Sequence, residues 1–148
     1  MYRHILIPID GSELAHRAVP HGLGLAKSVG AKVTALIVET PYNVFDLPSS
    51  KMNELPAVFA EHAAHVKAHA TKVLNGIAEA AKAAGVPCET VQVLHDRPYE
   101  AIIATAKERG CDLVVMASHG RGGVSAVVLG SVTNKVLTHT GIPVLVCH

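Results

Sequence analysis

Short apolar runs alternate with long amphipathic ones along this chain. That alternation constrains its fold more than any other feature, because it is the pattern of βαβ units wound into a parallel sheet. Strands are expected at His4 to Ile9, Lys32 to Val38, Cys88 to Leu94, Asp112 to Ala117 and Pro143 to Cys147. Helices are expected between them, over Glu13 to Val29, Ala57 to Ala84, Tyr99 to Arg109 and Val132 to Thr138. Gly30, Gly85, Gly110 and Gly141 each stand after a helical pattern and before a strand, where a C-cap glycine belongs. Pro98 suits the first turn of the third helix. The first, second and fourth strands are almost wholly apolar, as strands covered on both faces are, whereas Glu89, Thr90 and Gln92 mark the third as an exposed edge. The last run, Pro143 to Cys147, is apolar with nothing after it to cover it, so at the opposite edge it calls for a partner chain.

A chain of 148 residues that is 49% apolar can bury a core without disulfides or metal, and its size is that of one domain, taken as residues 1–148. The irregular stretch from Thr40 to Pro56, with three prolines, is long for a compact domain and reads as a flap. Thirteen basic against twelve acidic residues leave a formal charge of +1, which provides no field for nucleic acid or an anionic membrane. The only aromatics are Tyr2, Tyr42, Phe45, Phe59 and Tyr99, too few for base-stacking platforms. Cys88, Cys111 and Cys147 are odd in number and lack CxxC spacing, so they read as core thiols of a reducing compartment. With no leader-like opening and no bilayer-length apolar run, a cytoplasmic location is expected.

In an open parallel sheet a ligand sits beyond the carboxyl ends of the strands, where the winding reverses, so the residues just after strands matter most. Asp10, Gly11 and Ser12 follow the first strand. Ser118, His119, Gly120, Arg121, Gly122 and Gly123 follow the fourth and lead to Gly130, Ser131, Val132 and Thr133 at a helix start. Glycines that admit close backbone approach, together with the free N–H groups of a helix's first turn, describe a phosphate cradle. Ser131 and Thr133 add hydroxyls, and Arg121 or His119 adds charge. The plainer reading is that Ser131 caps the helix and the glycines make turns. Three glycines in four residues followed by a second Gly-Ser favour the cradle. Neither GxGxxG after a first strand nor GxxxxGK[ST] is present, which disfavours a dinucleotide fold and a P-loop NTPase. Asp10 is placed either to bond ribose hydroxyls or hold Mg²⁺ through water, or to start the turn into the first helix, with Ser12 as an alternative cap.

These residues resemble the universal stress protein family over essentially the whole chain. The resemblance rests on Ile5 to Ser12, on Asp112 to Gly123, and on Gly130-Ser131-Val132 through Pro143 to Val146, in order and spacing. Members that bind ATP carry glycine, two residues, glycine, nine residues, then Gly-Ser or Gly-Thr. Gly120, nine residues and Gly130-Ser131 match, and Ala117 replaces the first glycine, the smallest departure and one that binding is expected to survive. The resemblance implies a three-layer α/β/α fold with an open five-stranded parallel sheet in the order 3-2-1-4-5, of the adenine nucleotide alpha hydrolase-like kind. It implies Pro8, Asp10 and Val38 around adenine and ribose, and Met116, Ala117 and His119 lining the pocket. Gly120, Gly130, Ser131, Val132 and Thr133 would meet the phosphates of ATP, ADP or AMP. It also implies a homodimer through strand 143–147 and a role in stress response.

Other classes of function compete. His62, His65 and His69 fall within about 60° of arc on one helix, a candidate metal face, although a solvated polar flank is the favoured reading because three ligands from one straight helix seldom converge on one ion. A hydrolase or phosphotransferase needs a general base and a carboxylate pair, and beyond Asp10 only His119 is on offer, so a non-enzymatic binding module with at most very slow ATP turnover is expected. A dimeric interaction protein without nucleotide is the third reading, against which Gly120 and Gly130-Ser131 stand.

Overall fold

The computed structural model describes residues 1–10, 12–41, 55–119 and 129–148. The strands are β1 (His4–Ile9), β2 (Lys32–Glu39), β3 (Cys88–Leu94), β4 (Leu113–Ala117) and β5 (Val144–Cys147). The helices are α1 (Glu13–His16), α2 (Ala18–Val29), α3 (Leu55–Ala84), α4 (Pro98–Arg109) and α5 (Ser131–His139). The strands form one sheet in the order β3-β2-β1-β4-β5, all pairs parallel. The polar β3 and the short β5 are therefore its two edges, as the residue patterns predict.

Alternate strand residues feed two cores because successive side chains point to opposite faces. Ile5, Ile7, Val33, Ala35 and Val115 pack with Val19, Leu23, Leu74 and Ile77 of α2 and α3. Leu6, Leu36, Val114 and Met116 pack with Ile102 and Ala106 of α4 and Val136 of α5.

Two expectations needed correction. The first helix is broken at Arg17 into α1 and α2. Pro20 has no N–H to return to the carbonyl of His16, so a continuous helix would lose that bond, whereas in the first turn of α2 the missing donor costs nothing. Gly141 is not a helix cap. Left-handed φ occurs at Gly30, Gly85 and Gly110, the glycines that follow α2, α3 and α4, while α5 ends at Thr140 with φ −80° and ψ 147°. The Thr140 hydroxyl accepts the Ile142 N–H at 3.3 Å, so the chain turns without glycine conformation there.

The expected flap, Thr40 to Pro56, lies mostly outside the described residues, as do Gly120, Arg121, Gly122 and Gly123.

Candidate functional site

Pro8 sets the geometry at the centre of the sheet. Pairing of β1 with β2 runs the length of the strand, from His4↔Lys32 to Ile9↔Ile37. Pairing with β4 covers only Ile5↔Leu113 and Leu6↔Val114. A proline brings no N–H to a ladder, so the β1–β4 hydrogen-bond ladder stops short of the carboxyl ends of the two strands. This seam is also where the winding reverses, the position at which open α/β sheets hold ligands.

Asp10 follows directly on β1 at the carboxyl end of that seam. Its Oδ1 accepts the Ser12 N–H at 2.9 Å, and Ser12 Oγ accepts the Ala15 N–H at 3.1 Å. Asp10 thus makes the turn out of β1, and Ser12 caps α1.

Across the seam, Ser118 ties the end of β4 to the start of α5. Its N–H donates to the Cys147 carbonyl at 2.8 Å, its own carbonyl accepts the Gly130 N–H at 2.7 Å, and its hydroxyl lies 3.1 Å from His119 Nδ1. The chain therefore leaves and re-enters at one pinned point, which delivers the start of α5 to the end of β4. The N-cap of α5 is Gly130, not Ser131, and the Ser131 side chain makes no capping bond. Ser131 stands at the first helical position, with the unpaired amides of the first turn beside it. Thr133 is turned inward, 3% exposed, and its hydroxyl donates to the Ala117 carbonyl at 2.9 Å.

The named residues divide between the two faces of the sheet. Val38, Met116 and Val132 meet in the α4/α5 cluster together with Tyr99. Ala117 belongs to the α2/α3 cluster, so its methyl points away from Met116 and Val132. Gly120 lies outside the described residues.

A cavity of about 380 Å³ adjoins this region, with Asp96, Arg97, Pro98 and Tyr99 on one wall and Ser131, Val132 and Lys135 on the other. Its volume is at the lower end of the range for small-ligand pockets. Arg97 Nη1 donates to Glu100 Oε1 at 3.1 Å, and the Tyr99 hydroxyl donates to the same oxygen at 3.1 Å. The Arg97 contact, with that of Tyr99 behind it, holds the Glu100 carboxyl below the usual range. The Lys135 ammonium lies 5.5 Å from the centre of the Tyr99 ring. The α4 wall went unread in the sequence, where its only signals are Arg97-Pro98 at a helix start and one of few aromatics, far along the chain from the glycines.

The thiols are placed for packing. Burial raises the pKa of all three, that of Cys111 to about 11. Among the described residues no three His, Cys, Asp or Glu side chains are grouped to hold a metal ion, and no helix is long and apolar enough to cross a membrane. His65 and His69 are exposed on α3.

Comparison with known proteins gives one answer at three levels. The family model described as the universal stress protein family matches residues 1–148. The universal stress protein YxiE of Bacillus subtilis strain 168 is 31% identical over 147 residues, 99% of each chain. The solved structure of the hypothetical protein MJ0577 superposes with a TM-score of 0.80 at 27% identity, covering 99% of this chain and 95% of that one. A universal stress protein solved in complex with cAMP has a TM-score of 0.71 at 24% identity, over 99% and 97% of the two chains, and so shares the fold.

Proposed function

This chain belongs to the universal stress protein family, and on that premise we propose that it is a binding module for an adenine nucleotide that works as a switch and not as an enzyme. The observation that carries the reading is the β1–β4 seam, where the winding reverses and the ladder stops short at Pro8, with the first turn of α5 pinned beside it by the Ser118–Gly130 bond. Pro8, Val38 and Met116 supply an apolar wall suited to a base, and Asp10 an acceptor suited to ribose hydroxyls or to Mg²⁺ through water. Gly130, Ser131 and Val132 supply the amides and hydroxyl that suit phosphate, with His119 and Gly120 in the same loop. Thr133 acts from behind by tying α5 to Ala117. ATP is the proposed ligand, with ADP and AMP as shorter forms of it.

The proposal is a non-catalytic one, because among the described residues Asp10 and His119 are the groups at the seam with acid–base chemistry and no carboxylate pair stands by for a metal. Two copies would join along β5, an edge strand whose Leu145 is 42% exposed. The test is to purify the protein without added nucleotide, denature it and identify by chromatography what it releases. Adenine nucleotide in near-stoichiometric amount is expected. A protein that releases none and takes up none at millimolar ATP would leave the reading without support.

A further inference from the structure

The cavity beside the start of α5 holds two donors that no described residue engages. Ser131 makes no side-chain capping bond, and neither its hydroxyl nor the Lys135 ammonium has a hydrogen-bond or ion-pair partner among the described residues. Both residues line the same cavity wall, one turn apart on one face of α5. Across from them the cations and acids of α4 are largely occupied with each other. Arg97 is paired with Glu100 at 3.1 Å, and Glu100 also accepts from Tyr99. Asp96, the one carboxylate in the lining, has a side chain 76% exposed and screened by water. Among the described residues the Lys135 ammonium meets the Tyr99 ring, a contact that orients it without neutralising it.

A cavity that offers a hydroxyl and an unpaired ammonium, and adjoins the amides assigned to the first phosphate, suits an anionic acceptor further along the same ligand. We propose that Lys135 is the specificity-determining residue of this site, recognising the phosphates beyond the first, so that affinity rises with phosphate number. This rests on the adenine-nucleotide reading above and adds to it the group that separates ATP from AMP. Arg97 is the second cation within reach, drawn from Glu100 when a triphosphate enters.

The test is calorimetric titration of ATP and of AMP, each with Mg²⁺, into wild type, Lys135→Met and Lys135→Arg. Methionine keeps the apolar stem against Tyr99 at an exposed position, so folding is unaffected. Wild type is expected to bind ATP more tightly than AMP. Lys135→Met should lose about tenfold in ATP affinity, the scale of one charge-assisted contact, with AMP within about twofold of wild type. Lys135→Arg should keep most of the ATP affinity. If ATP and AMP weaken alike, or neither changes, the assignment of Lys135 is overturned while the nucleotide reading stands. If wild type binds neither nucleotide, both fall together.

Discussion

His4 is 3% exposed, and its Nε2 lies 2.6 Å from the Thr34 hydroxyl, which donates its own proton to Glu89 Oε1 at 2.8 Å. A hydroxyl has one proton to give, so the imidazole must be the donor at Nε2. Burial, and after it Lys32, hold the His4 pKa below its ordinary value, while Glu89 and Asp112 pull the other way. The unfolded chain therefore takes up a proton here more readily than the folded one, and stability rises with pH between the two pKa values. Its contribution is complete above the ordinary pKa near 6.5 and drains as pH falls below it. Glu89, bonded by Thr34, and Asp112, which accepts the backbone N–H groups of Arg3 and His4, have lowered pKa values and lose their contribution only in more acid solution. The wild-type thermal midpoint should thus fall between about pH 7 and about pH 5.5, and His4→Gln should flatten that interval while the loss below about pH 4 remains. A wild-type midpoint that stays level across the interval would contradict this account of His4.

Among the elements, α2 packs directly against the sheet at Gly22. A Cβ placed there would overlap Ile7 Cδ1 and lie 2.9 Å from Ile7 Cγ1, and Ile7 is fully buried in a central strand. Gly22→Ala should destabilise the protein by about 1–3 kcal/mol through overpacking. Gly24, two residues on, has nothing within 4 Å of such an atom. There the same substitution should stabilise by about 0.5–1 kcal/mol, since alanine is the better helix former. Chemical denaturation of the two variants gives the comparison, and like signs for both would refute the packing argument. The strands and the caps at Gly30, Gly85 and Gly110 were legible because each is written locally, in apolar runs and in residues that tolerate left-handed backbone. The break at Arg17 was local too, but it turned on what Pro20 withholds from His16 rather than on any periodicity. Pairing Asp96 to Tyr99 with Ser131 to Lys135 was not legible, because the sheet order and not chain proximity brings those turns together. Ser118 escaped for a related reason, since its contribution comes from backbone groups, which no side-chain pattern records.

At the scale of the whole molecule, the two edges differ in how they are protected. Glu89 on β3 is bonded by Arg109 at 2.9 Å, and charge along that strand discourages pairing with another chain. β5 has Val144, Leu145 and Val146 with no charged residue among them, so the proposed dimer would cover it. Leu145→Lys should shift the protein toward monomer in sedimentation velocity, and a wild type that sediments as monomer at every concentration would rule the β5 dimer out. The central claim concerns the middle of the sheet, where the carboxyl end of the β1–β4 seam and the start of α5 would make a nucleotide site. It is tested most directly by titrating ATP with Mg²⁺ into wild type and into Gly130→Arg by calorimetry. Gly130 has φ −60°, ordinary backbone for any residue, so arginine there fills the approach to the first turn without straining the chain. Saturable heat at one nucleotide per chain in wild type, lost in Gly130→Arg with the fold intact, is the predicted result. Equal binding by both proteins, or none by wild type, would contradict the account.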